Sequence, residues 1–243
     1  LILAKSKKFK HTCIAGVSID NPNSLHLGKA EWIRPVDLAY NDAITSESMM
    51  LGNKNGNPRE LRLLDIVSIP FKESILSEHQ SENIAIFTSG HFAEIRWDLE
   101  LDPFNKKNKD YISLLNERQS INKYLRSICR NQLDWPNHSS STGINDRVLY
   151  EERGSINYSL ALVETQLKAY LKNGQIRGVF NLGGVEYDLS ITDLRFEKWF
   201  RGVDENECSF DRAFICLSLG ELFKGFYYKL IAGLFIFSEE SLT

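Results

Sequence analysis

The sequence predicts a mainly β protein of two small barrels joined by an amphipathic helix and a loop. Three observations carry this reading. Fourteen Phe, nine Tyr and four Trp bring the aromatic share to 11%, and aromatic side chains favour the pleated, half-buried surfaces of sheets. Both ends of the chain alternate short apolar runs with Gly, Pro, Asn and Asp punctuation. Only the middle repeats at helical spacing. At 243 residues, 42% hydrophobic and 25% charged, the chain can bury enough apolar surface for two cores.

In chain order, the apolar start Leu1–Ala4 is followed by a strand at His11–Ile19. Gly16 interrupts that strand and marks a bulge or sharp bend, the kind of residue a small barrel uses at a corner. The run Asp20-Asn21-Pro22-Asn23 is a turn by composition. A strand at Glu31–Val36 should end at Pro35, which cannot donate a ladder hydrogen bond. Residues 52–58 (Gly-Asn-Lys-Asn-Gly-Asn-Pro) form a loop, and Leu63–Phe71 and Asn83–Phe87 complete the first set of strands.

Over 104–133 the pattern changes. Tyr111, Leu114, Leu115, Arg118, Ile121, Tyr124, Leu125 and Ile128 recur every three or four residues, with Lys106, Lys107, Lys109, Arg118, Lys123, Arg126 and Arg130 around the rim. A loop follows from Trp135 to Gly143. Strands resume at Ser159–Val163, Arg177–Phe180 and Glu186–Thr192, the last two joined by a turn at Gly183-Gly184. Ala213–Leu219 and Phe226–Phe237 form a closing hairpin around Gly220–Gly225. The expected division is therefore 1–100 for the first barrel, 101–150 for the helical connector and loop, and 151–243 for the second barrel.

Charge narrows the function classes. The net charge is −3, and only 101–150 is net basic, with 8 Lys/Arg against 5 Asp/Glu. Wholesale neutralisation of phosphates is therefore not expected, whereas a local contact is. Cys13, Cys129, Cys208 and Cys216 lack metal-ligand or disulfide-framework spacing, and the expectation is reduced, mostly buried thiols in the cytoplasm. The longest apolar run near the end, Tyr227–Phe237, is too short for a membrane span of about 20 residues.

Catalytic signatures are missing. The sequence has no GxSxG, no phosphate loop and no GxGxxG, and its five histidines fall in no four-ligand pattern. The expectation is no enzyme, no metal and no cofactor. A rival reading makes Glu186, Asp188 and Asp193 the carboxylates of a metal-dependent enzyme acting on nucleic acid, against a plain solvated strand face.

Binding has better support. Lys5, Lys7, Lys8, Lys10 and His11 crowd around Phe9, which suits phosphate contacts from the lysines with a base stacked on the ring. Trp32 and Arg34 place a second aromatic beside a second cation, although Trp32 equally suits a core. The same lysines would also serve as a charged edge that blocks strand-to-strand aggregation.

Several blocks together resemble the bacterial dual OB-containing domain family. They are Leu3-Ala4-Lys5-Ser6, Cys13-Ile14-Ala15-Gly16, Trp32-Ile33-Arg34-Pro35-Val36, Leu64-Asp65-Ile66-Val67 and His79-Gln80-Ser81-Glu82-Asn83. The later ones are Gly143-Ile144-Asn145-Asp146-Arg147-Val148, Tyr187 to Asp193, Ile215 to Glu221, and Tyr228 to Ala232. The resemblance implies two OB-like barrels and a nucleic-acid-binding role. Leu222 departs from it, standing where proline is expected after the Gly-Glu pair. The polar clusters His79, Gln80, Glu82, Asn83 and Asn145, Asp146, Arg147 suit either reading a base or satisfying buried backbone. The expected partner is single-stranded or structured nucleic acid; the alternative is a protein, with the basic helix rim or the closing hairpin as docking surface.

Overall fold

The computed structural model describes residues 1–8, 11–19, 31–51, 58–75, 79–87, 92–96, 122–203 and 206–236. The chain divides into two compact units, Leu1–Ser77 with Glu82–Ile128, and Glu78–Ser81 with Cys129–Thr243. Strand is the dominant element in both.

In the first unit, strands β1 (Ile2–Lys8), β2 (His11–Val17) and β3 (Trp32–Val36) pair antiparallel in succession. Two short strands, β4 (Met50–Leu51) and β5 (Arg59–Glu60), form a separate antiparallel pair. After β6 (Ile66–Ser68) and β7 (Phe71–Ser74), strand β8 (Asn83–Ile86) lies parallel to β3 and antiparallel to β7. β9 (Ala93–Arg96) pairs with β6. The main sheet runs β1-β2-β3-β8-β7 and is open: among the described residues β7 and β1 are not paired. The sequence reading expected a closed barrel here.

The bend at Gly16 has a steric cause. The β1–β2 register shifts between Ile2 and Ala4, and a Cβ on Gly16 would sit 2.0 Å from the Leu1 carbonyl oxygen. Pro35, expected to end its strand, instead lies inside β3 opposite Ile84. The predicted strand Leu63–Phe71 is split into β6 and β7 around Ile69 and Pro70. The predicted helix is described only over 122–128 (α1), where Tyr124 and Leu125 are buried and Lys123 and Arg126 exposed. Residues 129–133 have left the helix, and 104–121 lie outside the described residues, as does the rest of the predicted rim up to Arg118.

The second unit contains a closed barrel. Strand β10 (Arg147–Leu149) precedes β11 (Leu160–Lys172), β12 (Gln175–Leu182), β13 (Val185–Ile191), β14 (Glu207–Phe223) and β15 (Phe226–Ile236). β11, β12 and β13 form a meander, β14 pairs with β11, β15 pairs with β14, and β13 meets β15 in parallel to close the ring. β10 adds to the outside of β15. The interior is apolar: Val163, Ala169, Phe180, Leu189, Ile215, Leu217, Ile231 and Leu234 are all buried. Closure removes the sheet edges that would otherwise expose unpaired backbone.

A helix that the sequence reading did not anticipate, α2 (Leu194–Phe200), bridges β13 and β14. Asp193 caps it, accepting from Arg195 N at 2.8 Å and Phe196 N at 3.2 Å, and takes a third bond from Leu234 N at 2.9 Å. Phe196 and Phe200 supply its buried stripe. The signal lay in the sequence: an Asp N-cap followed by apolar residues three and four apart.

Candidate nucleic-acid interface

Lys5, Lys7 and Lys8 lie on β1. From Lys5 onward β1 alternates, with Ser6 buried and Lys7 exposed. Lys5 is committed to its own unit: its Nζ donates to Glu60 Oε1 and to the Leu61 carbonyl, both at 2.8 Å. His11 packs edge-on against Tyr40, ring centroids 5.4 Å apart. The Lys8 side chain, Phe9 and Lys10 lie outside the described residues. Trp32 is half-buried and Arg34 is only 6% exposed in β3. Arg34 therefore sits inside the unit, turned from the solvent through which a phosphate would approach. Of the predicted phosphate contacts, Lys7 is the described side chain that is plainly exposed.

Several groups of the polar blocks are bonded within their own units. Gln80 Nε2 donates to the Leu219 carbonyl at 3.1 Å, and the His79 ring lies 4.2 Å from that of Tyr227, all within the second unit. In the first unit the Glu82 carbonyl accepts from Arg34 N, and Asn83 is buried opposite Arg34 in the β3–β8 pair. Asn145 Nδ2 donates to the Glu186 carbonyl at 2.9 Å. Asp146 is buried and accepts from Ser140 N and Oγ, which folds the 139–146 loop onto the barrel.

Two of the three carboxylates considered for metal chemistry are engaged otherwise. Asp188 Oδ1 accepts from Arg177 Nε and its Oδ2 from the Tyr170 hydroxyl, each at 2.8 Å. Burial and the neighbouring Asp188 raise the Tyr170 pKa. Asp193 is the helix cap, and Glu186 is exposed. Among the described residues no group of three His, Cys, Asp or Glu could hold a metal ion. Of the cysteines only Cys216 is buried and the other three are half-buried. No helix among the described residues is long and apolar enough to cross a membrane.

Lys229 is a cation inside the second unit. It is 1% exposed, its Nζ donates to Asn137 Oδ1 at 2.5 Å, and it lies 5.4 Å from the Tyr187 ring centre. Burial pulls its pKa down to about 7, against the raising influence of Asp146 and then Glu152.

Among the described residues of the second unit, the β14–β15 hairpin carries the most exposed aromatic. Phe223 is 58% and Leu222 48% exposed. The turn is Lys224-Gly225, both with positive φ (51° and 82°), as a two-residue hairpin loop matched to strand twist requires. Phe223 faces Phe226 across the ladder, and Arg147 of β10 faces Tyr228. The rings of Phe223 and Phe226 each lie 6.3 Å from that of Tyr228. Arg147 stacks its guanidinium 3.9 Å from the Phe226 ring centre, and Lys224 Nζ lies 5.2 Å from that of Phe223. Sequence reasoning put Gly220–Gly225 wholly in the turn. In fact 220–223 is strand, its register shifted between Leu219 and Leu222, so Leu222 lies in the ladder opposite Tyr227.

A family model, the dual OB-containing domain, matches residues 1–234. The chain belongs to the dual OB-containing domain family. No curated protein matches it, and no solved structure does. As a dual OB-containing domain it has its closed barrel in the second unit, where α2 separates the third and fourth barrel strands and the β14–β15 turn joins the fourth and fifth. OB barrels use the face of their second and third strands and the loops after the first and fourth strands to hold oligonucleotides. The Lys224-Gly225 turn is the second of those loops.

Proposed function

We propose that this chain is a non-catalytic nucleic-acid-binding module that takes single-stranded or structured nucleic acid. The observation that carries the reading is the closed five-stranded barrel, β11 to β15, in a chain of the dual OB-containing domain family; that architecture often binds oligonucleotides. The first unit, with its strand order β1-β2-β3-β8-β7, acts as the second OB-like half. Lys7 and Lys8 of β1, together with Lys10, make phosphate contacts, with Phe9 as a stacking ring. Lys5, tied to Glu60, and the interior Arg34 hold the shape of this region. The protein works in the cytoplasm, a setting suited to thiols that form no disulfide.

Fluorescence anisotropy with short single-stranded and duplex DNA and RNA, at two salt concentrations, tests the proposal. Binding at micromolar concentration or tighter that weakens with salt is expected, and K7E with K8E should reduce both the affinity and the salt slope. No binding to any of the four at low salt would end the reading. Unchanged affinity in the double variant would remove the β1 lysines from it. The exposed Leu222 and Phe223 favour a second reading, a protein-interaction module, in which binding resists moderate salt.

A further inference from the structure

We infer that the outer face of the β14–β15 hairpin, together with β10 beside it, is a stacking platform for single-stranded nucleic acid. This rests on the nucleic-acid reading above and gives it a site on the barrel of the second unit, whereas the lysines of β1 belong to the first. Three rings share the face, Phe223, Phe226 and Tyr228, and two cations are layered on them, Lys224 on Phe223 and Arg147 on Phe226. Every base has a π-face, so rings and guanidinium planes accept unstacked bases without reading sequence. The cations carry the complementary charge for the adjoining phosphates.

The construction of the hairpin suits that use. The left-handed Lys224-Gly225 turn and the pairing of β14 with β15 fix the rings before any ligand arrives, so little side-chain freedom is lost on binding. Arg147 is held from behind by a 2.8 Å hydrogen bond from its Nη2 to the Ser139 carbonyl, which keeps its plane over Phe226. Glu221, exposed on the same hairpin, opposes phosphate. Arg147 and Lys224, opposed by nearby carboxylates, cannot hold a duplex by its backbone alone, whose affinity needs many neutralised phosphates. A duplex also hides its base faces. The rings therefore select single strands.

The test uses the full chain with fluorescein-labelled twelve-nucleotide oligo-dT and oligo-U, and the corresponding duplexes. Phe223→Ala, Arg147→Gln and Lys224→Asn are compared with Leu171→Ala, an exposed apolar control on β11; asparagine tolerates the positive φ of position 224. F223A and R147Q should weaken single-strand binding at least about fivefold, with L171A unchanged. Ultraviolet crosslinking of oligo-U followed by mass spectrometry should place adducts within 223–228. If the wild-type chain binds single strands but F223A and R147Q bind them equally well, the platform is wrong and the nucleic-acid reading survives. A wild-type chain that binds no oligonucleotide sinks both. Should F223A convert a self-associated wild type to a monomer at unchanged oligonucleotide affinity, the face is a contact between copies, and the inference is overturned. Phe223 is exposed enough that its loss leaves the barrel folded, which thermal melts verify.

Discussion

Lys229 illustrates how much depends on a single side chain's surroundings. As a sequence letter in an apolar run it interrupts a strand and does nothing else. In the barrel it alternates inward between the half-buried Tyr228 and Leu230, with its ammonium in a pocket of Asn137 and Tyr187. Its folded pKa of about 7 lies below the ordinary 10.5. Between those values the unfolded chain binds more protons than the folded one, so stability rises with pH across that window, by at most about 1.4 kcal/mol per pH unit. Denaturant unfolding of the wild type from pH 6.5 to 10 should show the rise, and Lys229→Met should flatten it. A parallel pH dependence in both proteins would mean that another group is responsible. Arg34 makes the same point from the other side: a cation next to tryptophan looks like a binding residue until its burial in β3 is known.

At the scale of elements, the helix α2 depends on one carboxylate. Asp193 Oδ1 holds two amides of the first turn and its Oδ2 takes Leu234 N of β15, so the cap also ties the helix to the strand that closes the barrel. Asp193→Ala should cost about 2 kcal/mol, the upper part of the range for a lost N-cap, because the Leu234 amide is also left buried. Equilibrium unfolding in urea measures it, and a loss below about 0.5 kcal/mol would assign the helix's stability to Phe196 and Phe200 instead. The strands differ in legibility. β12 and β13 were readable because Gly183-Gly184 marks their turn, and β11 was underestimated because its second half, from Glu164 on, alternates with charged residues that face solvent. β4 and β5, each two residues long, leave no periodicity to read.

For the whole molecule, the contrast between an open and a closed sheet governs both dynamics and binding. β7, a sheet edge with all four residues exposed, should exchange its amides far faster than the ring-paired β11 and β14. Hydrogen exchange read by mass spectrometry will separate them, and equal protection would indicate that the edge is covered. The net charge of −3 limits the number of phosphates that can be neutralised at once. The slope of log affinity against log salt for single strands should not exceed about 3 in magnitude, as for about four neutralised phosphates. A steeper slope would point to a basic surface larger than β1 and the hairpin supply.

The mainly β class, the turn residues, the bend at Gly16 and the lack of catalytic signatures follow from the sequence by itself, because each is set by local chemistry: side-chain shape, the conformational freedom of glycine, and the spacing that catalysis demands. The family was legible from short blocks such as Trp32 to Val36 and Gly143 to Val148. Tertiary structure alone decided that the second sheet closes through the parallel β13–β15 contact and that the first stays open. It also turned Arg34 inward and brought Arg147 onto Phe226, 79 positions along the chain. These outcomes depend on register and on partners far apart in sequence, and a strand's own residues do not specify which neighbour it will meet.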